Sequence, residues 1–185
     1  MDPNPFPYLE KKPPEEYIRL ALKEAAKALE VDEVPVGAIL VDLPSGRVVA
    51  KAHNQRELLK DPTAHAEIIA ITQAAAHYGS WRLTEAALFV TLEPCLMCAG
   101  AIVQARIPQV FYAADDPKAG AYRSVFEVLV NPGNNHRPEV VAGIRAAESA
   151  QMLQEFFRKK RTRSPRNNGE LNGPTNGQGG GEPRT

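Results

Sequence analysis

Residues 87–114 read ALFVTLEPCLMCAGAIVQARIPQVFYAA, and this stretch decides the fold. ALFVTLEP has the unbroken apolar character of a buried strand. Pro94 opens a helix, CLMCAGAIVQAR, which must stop before Pro108, and QVFYAA resumes as a second strand. Strand, helix and strand in succession imply a right-handed parallel crossover, and so an α/β domain.

Working towards the N-terminus, Asp61, Pro62 and Thr63 carry helix-start chemistry before an alanine-rich segment that ends near Gly79. That start places His65 and Glu67 in the first turns. Earlier still, VPVGAILVDL and RVVAKAHN flank Pro44-Ser45-Gly46, which predicts a β-hairpin from Val34 to Asn54. Pro14 suits a first helical turn, and Ile18, Ala21, Leu22, Ala25 and Leu29 follow at helical spacing, so a first helix runs to about Glu30.

Towards the C-terminus, residues 115–138 hold glycines, prolines and paired asparagines around SVFEVLV, and read as an ordered excursion at the edge of the site. Glu139 to Ala142 supplies a last short strand, and an amphipathic helix runs from about Ile144 to Arg161. From Thr162 onward only Leu171 is apolar, and disorder is expected. The expected organisation is an N-terminal extension over 1–14, one domain over 15–162 and a tail over 163–185.

At 185 residues the chain supports one core. A hydrophobic share of 43% and a charged share of 24% exclude a disordered or membrane chain. No signal-like leader or long apolar run occurs, which favours the cytoplasm and no membrane. The net charge is zero. Between Arg145 and Arg166, however, seven basic residues face two acidic ones, so that end carries a charge of its own that the rest cancels.

The chemistry rests on two motifs. His65-Ala66-Glu67 precedes Pro94-Cys95-Leu96-Met97-Cys98 by about one helix and one strand. Cys95 and Cys98, the two cysteines of the chain, lie three apart at a helix start, where the helix dipole favours thiolates. A C-x-x-C alone is more often a redox pair or half of a structural zinc knuckle. With His65 it offers a three-ligand tetrahedral zinc site with a fourth position for water, although His53, His77 and His136 remain candidate fourth ligands. Glu67, two positions after the histidine, can carry the protons, and H-x-E with P-C-x-x-C is the known signature of zinc nucleobase deaminases. Zinc lowers the pKa of a water towards about 7, and Glu67 can accept the water proton, donate it to a ring nitrogen and, in a second transfer, protonate departing ammonia.

On these residues the chain resembles the bacterial tRNA-specific adenosine deaminases of the cytidine/deoxycytidylate deaminase superfamily, from about Glu15 to Arg161. EVPVGAILV, DPTAHAEI, LFVTLEPCLMCAGAIVQARI, DPKAGA, NPGNNHRPEV and QEFFRKKR carry the likeness. The resemblance implies a three-layer α/β/α cytidine-deaminase-like fold with a central mixed sheet of about five strands. It also implies one Zn2+ per chain, a homodimer, and hydrolysis of the wobble adenosine of a tRNA anticodon stem-loop to inosine. In the family the residue matching Asn54 bonds the flipped base, Ala66 gives a backbone N–H near the reacting centre, and Val36 lines the pocket. Asp116, Lys118 and His136 match loop positions beside the RNA, while Phe157 and Arg158 match residues that meet nucleotides near the target. Asp115, where a basic or neutral residue is expected, adds negative charge at that edge, and Ser149 replaces a common cysteine. Two other readings share the motifs: a deaminase of free guanine or cytosine bases or nucleosides, and a zinc-stapled RNA-binding module without catalysis.

Overall fold

Period-two alternation in three apolar strands sets the two faces of one sheet. Ala38 and Leu40, Leu88 and Val90, and Val110 and Tyr112 point to one side; Ile39 and Val41, Ala87 and Phe89, and Phe111 and Ala113 point to the other. All are buried, so both faces need a helical cover.

The computed structural model describes residues 12–163. The elements are α1 (Pro14–Glu30), β1 (Gly37–Asp42), β2 (Arg47–His53), α2 (Arg56–Leu59) and α3 (Ala66–Tyr78). They continue as β3 (Ala86–Leu92), α4 (Leu96–Gln104), β4 (Gln109–Ala114), β5 (Glu139–Ala142) and α5 (Ala146–Arg163). The extension up to residue 11 and the tail beyond Arg163, expected to be disordered, lie outside the described residues.

The sheet order is β2-β1-β3-β4-β5. β1 is antiparallel to both β2 and β3, whereas β3–β4 and β4–β5 are parallel, so the sheet is mixed with five strands. The β3–α4–β4 crossover is the one read from residues 87–114. On one face α1 packs Tyr17, Ile18 and Ala21 against Phe89 and Phe111, with Met152 of α5 beside them. Phe89 and Phe111 stack at 4.4 Å between centroids and Tyr17 tilts onto Phe89 at 4.8 Å. Each buried ring contributes about 1.5–3 kcal/mol. α3 and α4 cover the other face through Ala66, Ala70, Ala74, Ala99, Ile102 and Val103. Small residues in α3 let it lie close to the sheet. At Gly37 the approach of α1 is closer still, since a Cβ there would sit 2.1 Å from the Ala21 carbonyl oxygen.

Two boundaries and one added element differ from the sequence reading. The hairpin pairs from Gly37 rather than Val34, because Pro35 offers no N–H and the chain makes a tight turn, Val36 N–H to Val34 O at 2.7 Å. α3 begins at Ala66, not near Thr63: the Asp61 carboxylate accepts both the N–H and the hydroxyl of Thr63 at 2.7 Å, which makes a turn and leaves His65 extended. The short α2 is an addition, held by Glu33, whose buried carboxylate accepts the N–H groups of Glu57 and Leu58 at 2.6 and 2.9 Å.

Candidate active site

The site forms where the C-terminal ends of β3 and β4 meet the start of β1 and the end of β2, at the N-termini of α3 and α4. His65 is the residue before α3 and Cys95 the residue before α4, each with extended backbone (φ −77°, ψ 152° and φ −73°, ψ 173°). Two helix N-termini thus converge, and their partial positive charge favours anions between them. Cys98, in the first turn of α4, is fully buried.

The Nδ1 of His65 lies 3.6 Å from both the Cys95 and the Cys98 Sγ. Tetrahedral zinc with Zn–N of about 2.0–2.1 Å and Zn–S of about 2.3 Å sets that edge at about 3.6 Å, so the donor set fits the ion in chemistry and spacing. Among the described residues these three form the one group of His, Cys, Asp or Glu side chains gathered closely enough to hold a metal. His53, His77 and His136 are not in it. The Cys95 thiol is pushed down to about 4, first by a hydrogen bond from Cys98 and then by His65, whereas Cys98 is pushed up because the pair shares a proton and Cys98 is buried. The same contact with Cys95 raises His65.

Glu67 is buried at 3% exposure, and its Oε2 has no hydrogen-bond partner. Burial pushes its carboxyl up to about 7, where it can both take and give a proton. Asn54 is also buried, and its Oδ1 accepts the Ala66 N–H at 2.9 Å. The sequence reading gives that N–H to the reacting centre. Here it is bonded to Asn54, which fixes the amide so that Nδ2 is the group left to the cavity.

These side chains line a cavity of about 210 Å³, walled by Val34, Val36 and Leu92 and rimmed by Arg56 and Asp116. It adjoins a groove of about 520 Å³ through Val34, Leu92 and Asp116. The groove carries Lys118, Gln154, Phe157 and Arg161. Lys118 Nζ stands 6.0 Å from the Phe157 ring centroid. Phe156 is buried, while Phe157 on the same turn is 43% exposed, so the paired phenylalanines divide between core and groove.

Two expected residues lie elsewhere. Arg158 sits with Gln151 and Glu155 in a hollow on α5 that shares Gln154 and Arg161 with the groove, so it lies beside the groove and does not line it. His136 bonds the Ile107 carbonyl at 2.7 Å, before β4 begins, about 20 Å from the site along the strand. Asp115 adds no bare charge: Arg123 pairs with it at 3.0 Å and Tyr112 donates to it at 2.8 Å. Ser149 donates its hydroxyl to the Thr91 carbonyl, tying α5 to β3.

Glu93 is absent from the sequence reading. Its buried carboxylate accepts the N–H groups of Asp116, Tyr122, Arg123 and Ser124 at 2.9–3.1 Å, and the Ser124 hydroxyl. It therefore clamps the 116–124 loop to the end of β3, two residues before Cys95. The loop comes so close that a Cβ on Gly120 would lie 2.2 Å from the carboxylate. A glutamate between an apolar strand and a proline is the one sequence signal that marks it.

The MafB19-like deaminase family model matches residues 13–161. A tRNA-specific adenosine deaminase of Streptococcus pyogenes serotype M1 is 44% identical over 147 residues, 80% of this chain and 85% of that one. That of Agrobacterium fabrum is 49% identical over 145 residues, 78% of this chain and 94% of its own length. A solved structure from work on A-to-I editing by tRNA:A34 deaminases at the wobble position superposes with a TM-score of 0.71 at 48% identity, covering 75% of this chain and 99% of that one.

Proposed function

The chain belongs to the MafB19-like deaminases and, at 44–49% identity to its relatives, to the tRNA-specific adenosine deaminases among them, and from this we propose that it hydrolyses the wobble adenosine of a tRNA to inosine. The observation that carries the chemistry is the buried, unpartnered Oε2 of Glu67 beside the His65–Cys95–Cys98 triangle. His65 Nδ1 and the two thiolates would hold one Zn2+, and the chemistry it would supply when bound is that of a Lewis acid that lowers the pKa of a water towards about 7.

Glu67 accepts the proton of the attacking water and delivers it to the ring nitrogen next to the carbon that bears the amino group. The carboxylate then takes the remaining proton from the oxygen added to that carbon and passes it to the departing amine, which leaves as ammonia, while the carbon keeps the oxygen as a carbonyl. Asn54 orients the base: Nδ2 donates to an acceptor on the purine edge while the Ala66 bond holds the amide. Val34, Val36 and Leu92 exclude bulk water.

Selection of an RNA loop rests on the adjoining groove. A base flipped out of its stack costs a few kcal/mol, and Phe157 can stack on a neighbouring nucleotide while Lys118 and Arg161 meet phosphates. Exposed apolar side chains such as Leu96, Val125 and Phe126 suit an interface in a homodimer. Among the described residues no helix is long and apolar enough to cross a membrane.

Incubation with an anticodon stem-loop carrying adenosine at the wobble position, and separately with free adenosine, tests the reading by mass spectrometry of inosine. The stem-loop is expected to be converted and free adenosine to be a far poorer substrate. Equal catalytic efficiency on both would transfer the chain to the nucleoside deaminases.

A further inference from the structure

The groove supplies cations on one side of the cavity: Lys118 and Arg161 lie beyond Val34, Leu92 and Asp116. Among the described lysines and arginines, Arg56 alone lines the cavity itself, with Asn54 and His65, and it does not line the groove. Its side chain is exposed and pairs with no acidic side chain among the described residues; Asp116, across the rim, instead bonds the Lys118 N–H at 3.0 Å.

The backbone that carries Arg56 is fixed from several directions. Gln55 N–H bonds the Ala64 carbonyl at 3.0 Å, Asn54 N–H bonds the Val36 carbonyl at 3.1 Å, and Asp61 N–H bonds the Arg56 carbonyl at 3.2 Å. Buried Glu33 holds the next two amides. A guanidinium on so firm a base at a cavity mouth, without an internal partner, is placed for an anion supplied from outside.

We propose that Arg56 is a substrate-positioning residue that grips a backbone phosphate next to the flipped nucleotide at the cavity itself, a cationic contact separate from those that Lys118 and Arg161 make in the groove. This rests on the tRNA reading above. A base seated in the cavity leaves its sugar at the mouth, and each adjacent phosphate is one bond set away. Planar, forked donors bind phosphate in two places at once.

The test uses Arg56→Ala and Arg56→Lys in the zinc-loaded full chain. The readouts are kcat/KM on the wobble-adenosine stem-loop and the salt dependence of Kd for the same loop carrying inosine, which is not turned over. Arg56→Ala is expected to lower kcat/KM about tenfold or more, as for a lost charge-assisted hydrogen bond. It is also expected to flatten the plot of log binding constant against log salt by about 0.7, one phosphate contact on a single strand. Arg56→Lys should keep the salt slope while losing part of the efficiency. A wild-type salt slope in Arg56→Ala, or equal losses in both variants, would overturn the phosphate contact. Failure of the wild-type chain to convert the stem-loop would instead overturn the tRNA reading.

Discussion

Replacing Glu93 by glutamine keeps the shape of the side chain and removes one acceptor. Three N–H groups, from Tyr122, Arg123 and Ser124, converge on Oε1, whereas Asp116 N–H and the Ser124 hydroxyl converge on Oε2. The less costly arrangement keeps the amide oxygen at the three amides and turns its NH2 towards the other two groups. The Ser124 hydroxyl can rotate to accept, but the Asp116 N–H then faces a donor, which costs about 1–3 kcal/mol. The three remaining bonds lose the strength that a charged acceptor gives, for a total of about 3–5 kcal/mol. In a domain of this size each kcal/mol moves the melting temperature by about 2–4 °C, so Glu93→Gln should melt about 10 °C lower. The pH dependence should change as well. Burial alone would raise the Glu93 carboxyl, but hydrogen bonds from Ser124, Arg123 and Asp116 outweigh it and hold the group below its ordinary value of 4.5. The unfolded chain therefore binds this proton more readily. The stabilisation is full above pH 4.5 and is lost as pH falls through the folded value, and the glutamine variant lacks that limb. Thermal melts of both proteins from pH 3 to 7, with limited proteolysis of the 116–124 loop, measure the effect. Melting within about 2 °C of the wild type at pH 7 would refute the clamp.

The other buried glutamate of the site should respond in the opposite way. Glu67→Gln leaves an oxygen or amide where no partner existed, so stability should stay within about 1 kcal/mol while kcat falls about 10²–10⁴-fold with metal retained. Wild-type turnover would end the proton-shuttle role. Cys95→Ala removes one corner of the triangle and should abolish stoichiometric zinc, measured by metal analysis, together with activity; a variant that kept both would disprove the ligand set. Phe157→Ala should lower stem-loop processing about tenfold or more without changing zinc content, since one stacked base is worth about 1–3 kcal/mol. Unchanged kinetics would remove Phe157 from the RNA path.

Much of the sheet was legible because its strands are buried on both sides and need uninterrupted apolar residues: ALFVTL and QVFYAA admit few other readings. The metal triangle was legible because its ligands fall in two short motifs at helix starts. Arg56 was not, because a solvent-exposed arginine has no local signature and only tertiary placement separates a cavity wall from a solvated face. Arg158 and His136 show the same limit from the other side. Likeness in a motif marked them as RNA contacts, while the fold sets Arg158 beside the groove, next to Gln154 and Arg161, and His136 at the far end of β4. The start of α3 was missed because Asp61 can cap a helix or close a turn with equal chemistry, and the extended His65 decides for the turn.

The buried carboxylates separate scaffold from chemistry on a single criterion. Glu33 and Glu93 are as inaccessible as Glu67, yet each is met by backbone amides: two for Glu33, four for Glu93. Burying a charge is tolerable when donors replace the lost water, and these two repay it by holding α2 and the 116–124 loop in place. Glu67 lacks that compensation at Oε2, and a scaffold residue so placed would cost stability to no purpose. The cost has a purpose only if the oxygen must remain available to a proton that arrives with the reaction. Neither burial nor residue type tells these three glutamates apart; the count of donors does. That count assigns the loop to Glu93 and the proton to Glu67, and it lets the two glutamine variants fail in different ways.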